Sequence, residues 1–434
     1  MLKNAYVTDG KTIRKRPGCV KVATLSKGTF GLFSGLGRLN TFQATESTAF
    51  SHDSTLLVNN RLSTEIDAFS GVSYCDTFNG FLYVVAQVGT TYRHHYLDGD
   101  FNTIITDSNC PRTAIAAKAA SKMWAGKDDV VRFCATNNPR DWTLANDAGF
   151  LPVGLQQSGS RNVTAIGNYQ NRLVPFFPDS AQIWEVDPDP INHKFLQSVD
   201  IGTTRPYTHQ NMAGDVFYLS PAGVRTITKQ ADTENLIDAD VGSPIDNELL
   251  NGTFLDLNTC RAQYFRGAGQ YWLYAGNTAA VFTFSRTAKI SAWSIYEFPF
   301  SLDYIDELDT FLYIRSGDEV YRMDRATWTD AGVPFTVEIE TSFVDFKGPG
   351  VLKQILAMDA VVSGTAEFSH RYDPRSPSIE TFPAVTITGD TRPGTQYPVE
   401  LMTTSLSTVV RNSDDQEFEL HSLSYMFENL SSSV

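Results

Sequence analysis

The 434-residue chain is acidic and rich in aromatic residues. Its 35 Lys and Arg are outnumbered by 49 Asp and Glu, a formal net charge of −14, and aromatic residues make up 12% of the sequence while charged residues make up only 19%. This composition suits two-faced pleated strands better than exposed helices, so the sequence predicts an all-β fold with a large core.

The cysteine and hydropathy patterns argue against two further classes of protein. The five cysteines are odd in number and include no C-x-x-C pair, which disfavours a disulfide framework or a zinc site. No run of about 18 apolar residues occurs, so stable insertion into a membrane is not expected. No cofactor is implied, and we expect the protein to be made in a reducing cytoplasm.

Residues 1–38 are predicted to form an extended basic arm. The segment contains eight Lys or Arg and one acid, which leaves the rest of the chain with a net charge of −21. Such an arm is either simply solvated or docks on an acidic partner, and both interpretations stay open. The candidate docking residues are Lys11, Arg14, Lys15 and Arg16.

Residues 39–331 contain six copies of one short sequence motif. Each copy consists of a turn, a run of aromatic or β-branched residues, a second turn and a second apolar run. The copies begin at Asn79, Asp128, Asn168, Gly214, Gly269 and Asp309. The starts lie roughly 40 to 55 residues apart, about the length of a four-stranded blade, and such modules must stack in a ring to bury their faces. The sequence therefore predicts a β-propeller of about six blades.

Three tryptophans near predicted turns have two interpretations. Trp142, Trp184 and Trp293 each lie where a blade strand would meet a loop. We expect them to pack between blades, because an indole ring can cover a blade face while its N–H group bonds at the rim. A carbohydrate-stacking platform is the alternative.

Residues 332–434 are predicted to form a β-sandwich-like domain. Phe335, Val337 and Ile339 alternate with polar residues, the period of a half-solvated antiparallel strand. Further strand candidates, separated by Gly- and Pro-containing turns, cover residues 355–368, 384–387, 397–402 and 418–427. These spacings are typical of a small sandwich.

No catalytic constellation or metal site is predicted, and the chain is not expected to be an enzyme. The Asp-box pattern of propeller glycosidases, Ser-x-Asp-x-Gly-x-Thr-Trp, appears in none of the copies. Carboxylate pairs such as Asp187 with Asp189 occur, but their separation in space, which decides their role, is not readable from sequence. His94 and His95 are adjacent on a predicted strand and point to opposite faces, which is poor geometry for a shared metal.

Several short sequence motifs, called strings below, occur in one order along most of the chain. They are Asp9-Gly10 with Lys15-Arg16-Pro17-Gly18, Lys122-Met123-Trp124-Ala125-Gly126 with Asn138-Pro139-Arg140-Asp141-Trp142, Asn171-Arg172-Leu173 with Ser180-Ala181-Gln182-Ile183-Trp184, Gly202-Thr203, Asp215-Val216-Phe217-Tyr218-Leu219, and Glu340-Thr341 with Asp345-Phe346. Their order is more specific than any one of them. In that order they resemble the tail-nozzle proteins of short-tailed bacteriophages, also described as packaged-DNA stabilisation or tail tubular proteins.

The resemblance implies a structural virion protein. Six copies would form a homohexameric nozzle below the portal and adaptor, with a channel that retains and then conducts the phage genome. The implied partners are the portal-adaptor proteins, a tail fibre or tailspike, a needle or plug protein, and double-stranded DNA that passes without specific binding. The protein would be assembled in the host cytoplasm and reside in the virion tail.

Acidic loop clusters are candidates for the channel wall of such a ring. An acidic wall keeps the DNA polyanion centred and mobile within a Debye length of about 8 to 10 Å, whereas ordinary solvated loops are the alternative interpretation. The candidate residues are Asp187, Asp189, Asp303, Asp306, Glu307, Asp309, Asp414 and Asp415, with a further cluster at Asp232, Glu234, Asp238 and Asp240. The basic arm would dock on the subunit above by adding a strand or ion pairs.

Two functions of other classes remain open from the sequence. A receptor- or glycan-binding propeller of a phage tail predicts exposed Trp or Tyr side chains and saturable glycan binding. A propeller glycoside hydrolase predicts turnover that a single carboxylate substitution abolishes.

Overall fold

The fold is almost entirely β. The computed structural model describes residues 1–44, 55–63, 69–100, 102–157, 161–228, 240–252, 254–376, 378–381 and 383–430. Within these ranges the regular structure consists of strands, short 3₁₀ turns and a helix of under two turns, α1 (Asp246–Asn251). The predicted all-β class is confirmed.

Seven of the sheets stand side by side in a ring, and each sheet is one blade of a β-propeller. Blades one to four contain, in order, β5 (Phe30–Gly35), β6 (Arg38–Ala44) and β7 (Leu57–Leu62); β8 (Phe69–Phe78), β9 (Phe81–Val88) and β10 (Thr91–Leu97); β11 (Ala116–Ala119), β12 (Lys122–Lys127), β13 (Val130–Phe133) and β14 (Gly149–Leu151); β15 (Ala165–Tyr169), β16 (Arg172–Phe176), β17 (Ala181–Glu185) and β18 (Lys194–Val199). Blades five to seven contain β19 (Gln210–Met212), β20 (Asp215–Ser220) and β21 (Gly223–Thr226); β22 (Arg261–Phe265), β23 (Gln270–Ala275), β24 (Thr278–Ser285) and β25 (Ile290–Glu297); β26 (Tyr304–Leu308), β27 (Phe311–Ser316) and β28 (Glu319–Asp324). The innermost strands of the seven blades are β5, β8, β11, β15, β19, β22 and β26, and each contacts the innermost strands of the two neighbouring blades.

The predicted propeller is confirmed, and its described residues form seven blades where the sequence shows six repeats. Blade one was missed because its second strand, β6, carries polar side chains where the other blades carry apolar ones. Asn40, Thr41 and Gln43 are all buried there. They are satisfied by amide partners on β7, since Asn59 Nδ2 donates to Gln43 Oε1 at 2.5 Å and Asn60 Nδ2 to Asn40 Oδ1 at 3.1 Å. Such a strand lacks the apolar run that marks a blade.

Blade seven is completed by the beginning of the chain. β4 (Gly18–Thr24) pairs antiparallel with β28, from Thr24 opposite Glu319 to Gly18 opposite Asp324. A short hairpin of β29 (Thr329–Asp330) and β30 (Val333–Pro334) extends the sheet on the far side of β4. The propeller therefore closes by strand pairing between its two ends, and β4 covers the edge of β28 from Glu319 to Asp324.

The C-terminal domain is a two-sheet sandwich that incorporates the first strands of the chain. One sheet has the order β1 (Leu2–Lys3), β31 (Val337–Glu340), β36 (Ser407–Asn412), β33 (Ala366–Arg371) and β34 (Val385–Ile387). The other has the order β2 (Ala5–Val7), β3 (Ile13–Lys15), β37 (Glu419–Asn429), β32 (Lys353–Ser363) and β35 (Gln396–Thr403). Val337, Ile339 and Phe368 pack between the sheets against Met358 and Phe418. Val337 and Ile339, two apolar residues of the predicted alternation, thus form the core face of β31.

The N-terminal segment is not the extended arm that the sequence predicts. β1 runs parallel to β25 of blade six, with Lys3 opposite Ile295, and antiparallel to β31, with Leu2 opposite Ile339. A single nine-stranded sheet therefore passes from the propeller into the sandwich. Residues 1–38 lie in the sandwich, in blade seven and in blade one, and the prediction failed because β1, β3 and β4 each pair with a strand that is distant in sequence.

Glu380 joins two arginines on the face of the sandwich opposite its core. Its carboxylate lies 2.7 Å from Nη1 of Arg411 and 3.0 Å from Nη2 of Arg371. Hydrogen bonding from Arg411 is the main cause that lowers the pKa of Glu380 from about 4.5 to about 2. Because the pKa is depressed in the folded state, the stabilisation is present above about pH 4.5 and is lost as the pH falls toward about 2.

Replacing Glu380 by glutamine should therefore lower the urea midpoint of unfolding at neutral pH, and the deficit relative to the wild type should shrink as the pH falls below about 4.5. Glu428→Gln, at an exposed position of β37, is the matched control and should leave the midpoint unchanged. A deficit that is constant from neutral pH to about pH 3 would contradict the assignment.

Candidate functional site

Arg16, a predicted docking residue, is buried at the junction of the propeller and the sandwich. Its side chain is 0% exposed and forms a bidentate ion pair with the equally buried Asp330, at 2.9 Å from Nη1 and 2.5 Å from Nη2. The guanidinium lies between the rings of Phe298 and Phe335, 4.2 and 3.9 Å from their centroids. Its Nε donates to Asn4 Oδ1 at 3.0 Å. Arg16 is therefore a structural residue, and the docking prediction is wrong for it.

Lys15 is also buried, so it too is unavailable for docking. Its Nζ donates to Asn412 Oδ1 at 3.1 Å and to the carbonyl oxygen of Asp414. Burial lowers the pKa of Lys15 to about 8. These acceptors lie on and just after β36, so Lys15 fastens the N-terminal hairpin to the sandwich. The sequence does not reveal that either cation is buried, because their partners are distant in sequence. Asn412 lies almost 400 residues after Lys15, and Asp330 lies over 300 residues after Arg16.

The other two predicted docking residues remain on the surface. Lys11 is exposed in the turn between β2 and β3. Arg14 is half-buried and forms ion pairs with Glu419 at 2.7 Å and Glu417 at 3.2 Å. Of the four predicted docking residues, only these two therefore reach the surface, and Arg14 is largely neutralised within the chain.

The predicted channel acids are distributed over separate parts of the molecule. Asp187 and Asp189 lie on the perimeter between β17 and β18, where Asp189 caps a 3₁₀ turn by accepting from Ile191 N. Asp414 and Asp415 are exposed beside Lys15, and Asp303 is exposed and accepts from Gly317 N. The remaining acids of the main set, Asp306, Glu307 and Asp309, line the axis of the propeller. In the additional cluster, Asp232, Glu234 and Asp238 lie outside the described residues, while Asp240 pairs with Arg225 at 3.1 Å.

A cavity of about 700 Å³ occupies the axis of the propeller, and the innermost strands of all seven blades line it. Asp306 faces it from β26 and accepts from Ser34 N at 2.6 Å, Gln263 Nε2 at 3.1 Å and Glu307 N at 2.7 Å. Burial is the main cause that raises the pKa of Asp306 to about 6. This carboxyl group joins the inner strands of blades one, six and seven, so its role is to hold the ring and it does not line an open channel.

Arg261 is a cavity residue that no sequence motif marks. Its guanidinium lies between the rings of Tyr207 and Tyr304, 4.5 and 4.8 Å from their centroids. Arg261 is the first residue of the innermost strand β22, and Tyr304 is the first residue of the innermost strand β26. An alignment of the six repeats does not bring these two positions together, because Arg261 lies eight residues before Gly269 and Tyr304 five residues before Asp309.

The predicted tryptophans belong to the core or its margin. Trp142 and Trp184 are buried, and their Nε1 groups donate to Pro139 O and to Gln182 Oε1. Trp293 is half-buried and donates to Val241 O. This placement agrees with packing within and between blades.

His94 is also a core residue, held by Tyr83 and the carbonyl of Thr113, and burial lowers its pKa to about 4. In the parts of the chain that the structure covers, no three His, Cys, Asp or Glu side chains are grouped to hold a metal ion. The helices of the described ranges include none long and apolar enough to span a bilayer.

Comparisons with known proteins add little beyond this architecture. No protein-family model matches the chain, and no curated protein matches it. Solved structures similar to it include Hsv2 of Kluyvelomyces marxianus (9% identity, 54% of this chain and 73% of that one, TM-score 0.31) and a functionally unknown protein from Desulfotomaculum acetoxidans (12%, 63% and 88%, TM-score 0.40). Another is the Pan2 WD40 domain of Neurospora crassa (11%, 74% and 98%, TM-score 0.36). The propeller is established here by the strand topology itself.

Proposed function

We propose that the chain is a structural virion protein, a subunit of a hexameric tail nozzle that lies below the portal and adaptor and gives a channel for the phage genome. The observation that carries the proposal is the buried joint made by Lys15-Arg16-Pro17-Gly18, one of the strings on which the resemblance rests. Arg16 ties this string to Asp330. A side chain at Gly18 would not fit, since an added Cβ would lie 2.2 Å from the carbonyl oxygen of Thr329.

The joint makes the propeller and the sandwich one mechanical unit. The nine-stranded sheet crosses from one domain to the other, and the N-terminal strands belong to both. Residues on either side of the joint share backbone hydrogen bonds, for example from Asn4 N to Ile295 O at 2.8 Å and from Arg16 N to Asn4 O at 3.0 Å. A wall subunit of a conduit needs this property, because domains linked only by a flexible connector move relative to each other.

The genome would pass between subunits and not through the propeller. The axial cavity has the size of a small-molecule site and is crossed by aromatic side chains, so a duplex does not fit. Asp189, Asp303, Asp309, Asp414 and Asp415 are exposed and available to an inter-subunit wall. With a net charge of −14 per chain, such a wall repels phosphates and provides few of the cation contacts that make DNA adhere.

Docking to the subunit above would depend on the hairpin tip. Lys11 is exposed there, and its charge has no ion-pair partner among the described residues.

Purified protein should form six-fold rings with an open axis in electron-microscope class averages when mixed with its portal-adaptor assembly. Lys11→Glu should reduce ring attachment, whereas Lys27→Glu, at another exposed lysine, should not. Particles that stay monomeric with and without the assembly would refute the proposal.

A ligand-binding propeller of a phage tail is the second candidate function. The axial cavity favours it, because a concave site in which aromatic side chains and convergent polar groups line the wall is typical of ligand recognition. Saturable binding on a glycan array by a protein that forms no ring would favour this function over the nozzle.

A further inference from the structure

Of the arginines that line the axial cavity, Arg266 is exposed at the rim, whereas Arg261 is half-buried and has no anionic partner among the described residues. Among the described residues, no carboxylate or carbonyl oxygen accepts a hydrogen bond from the Arg261 guanidinium, whose neighbours are the faces of Tyr207 and Tyr304. The side chain is half-buried, and it lines the cavity. A guanidinium withdrawn from bulk water is normally paired, so an unpaired one that faces a cavity is an available anion site.

The other half-buried charged groups of the cavity are already satisfied. Lys118 Nζ lies 2.8 Å from Asp76 Oδ1, and Asp306 accepts three N–H groups, as described above. Glu307 accepts from the backbone N–H groups of Arg266 and Gly267 at 2.8 and 3.0 Å. The cavity therefore offers a single unpaired positive charge near its aromatic residues, with Arg266 at the exposed rim.

The surroundings of Arg261 select the shape and charge of the anion. The ring centroids of Tyr207 and Tyr304 lie 4.5 and 4.8 Å from the guanidinium carbon, which favours an edge-on approach to the remaining N–H groups, and this approach suits the planar, bidentate carboxylate. The carboxyl group of Asp306 lines the same cavity and opposes a doubly charged group such as a phosphate monoester. Tyr74 and Tyr274 add aromatic surface to the walls.

We propose that the axial cavity of the propeller is a binding site for an organic monocarboxylate with an aromatic or apolar body, held edge-on by Arg261 between Tyr207 and Tyr304. The carboxylate belongs either to a free organic acid or to the end of a peptide chain. The volume of about 700 Å³ accommodates either one. The site is independent of the nozzle proposal, because it lies inside each propeller and requires no second subunit.

Titration calorimetry of the full chain with benzoate, benzamide and phenyl phosphate tests the chemistry. Benzoate should bind with one site per chain and at least tenfold more tightly than benzamide, its neutral isostere, since charge-assisted hydrogen bonds are lost with the amide. Phenyl phosphate should bind more weakly than benzoate. No binding of benzoate at millimolar concentration, equal binding of benzamide, or tighter binding of phenyl phosphate would each overturn the proposal.

Substitutions locate the site. Arg261→Gln should weaken benzoate binding at least tenfold, whereas Arg172→Gln, on β16 and outside the cavity, should leave it unchanged. Unaltered binding to Arg261→Gln would also overturn the proposal. If that variant does not fold, the comparison of benzoate with benzamide on the wild-type protein decides whether the site binds a carboxylate.

The dipeptide Gly-Phe and its C-terminal amide separate the two sources of the carboxylate. If the ligand is a chain terminus, Gly-Phe should bind more tightly than benzoate, and if it is a free organic acid, benzoate should bind more tightly.

Discussion

Replacing Asp330 by alanine is expected to lower the free energy of unfolding by about 3–5 kcal/mol, because the change leaves the buried Arg16 guanidinium without its counter-ion. Both side chains are 0% exposed. The remaining donors of Arg16 are directed to Asn4 Oδ1 and to the carbonyl oxygens of Pro17 and Glu297, none of which carries a full charge.

Urea unfolding followed by tryptophan fluorescence measures this loss, and a surface pair provides the control. Arg161 and Asp179 are 3.4 Å apart with more than half of each side chain exposed. Asp179→Ala should therefore cost less than about 1 kcal/mol. A loss of the same size in Asp330→Ala would show that the buried pair does not hold the joint.

A double substitution separates the charge from the packing. Arg16→Met with Asp330→Leu removes both buried charges and keeps apolar volume between Phe298 and Phe335. Replacing a buried ion pair by apolar side chains is often neutral or stabilising, so the double variant should be more stable than Asp330→Ala alone. A double variant that is less stable would indicate that the hydrogen bonds to Asn4 and to Glu297 are the main contribution.

The sequence allowed the prediction of those parts of the fold that depend on local periodicity. Val337 and Ile339 alternate with polar neighbours, and they lie in the sandwich core. Four of the six repeat starts fall at the turn after an innermost strand, Asn168 falls near the end of such a strand, and Asp128 falls at the next turn of its blade. Period-two alternation and turn residues record these features within a few residues, so a single sequence contains the information.

The site and the joint depend on contacts that local patterns do not record. Arg16 reads as one member of a basic run, yet its partner Asp330 lies 314 positions away. Arg261 becomes distinctive only when the ring places Tyr207 and Tyr304 on either side of it. Blade one is hidden for the same reason, because Gln43 is acceptable in a buried strand only once Asn59 is beside it. Pairing of this kind is a property of the closed ring.

Deleting residues 1–24 is expected to abolish cooperative folding, because the segment supplies strands to both domains. Without β4, the edge of β28 is unpaired from Glu319 to Asp324, and blade seven loses the buried Cys19 from its core. Without β1 and β2, blade six is no longer joined to the sandwich, and Ala5 is missing from the sandwich core. We expect the remaining chain to lose its near-ultraviolet circular dichroism and its sharp urea transition.

A shorter deletion distinguishes ring closure from a general loss of chain. Removing residues 1–8 takes away β1 and β2 but keeps β4 and Arg16, so the propeller should still close while the sandwich becomes less stable. A synthetic peptide of residues 1–26, added during refolding of the longer deletion, should restore the cooperative transition at one peptide per chain, because strand pairing does not require a covalent connection. A chain of residues 25–434 that unfolds as cooperatively as the wild type would show that the propeller closes without β4. Each innermost strand would then have to be held by its neighbours in the ring alone.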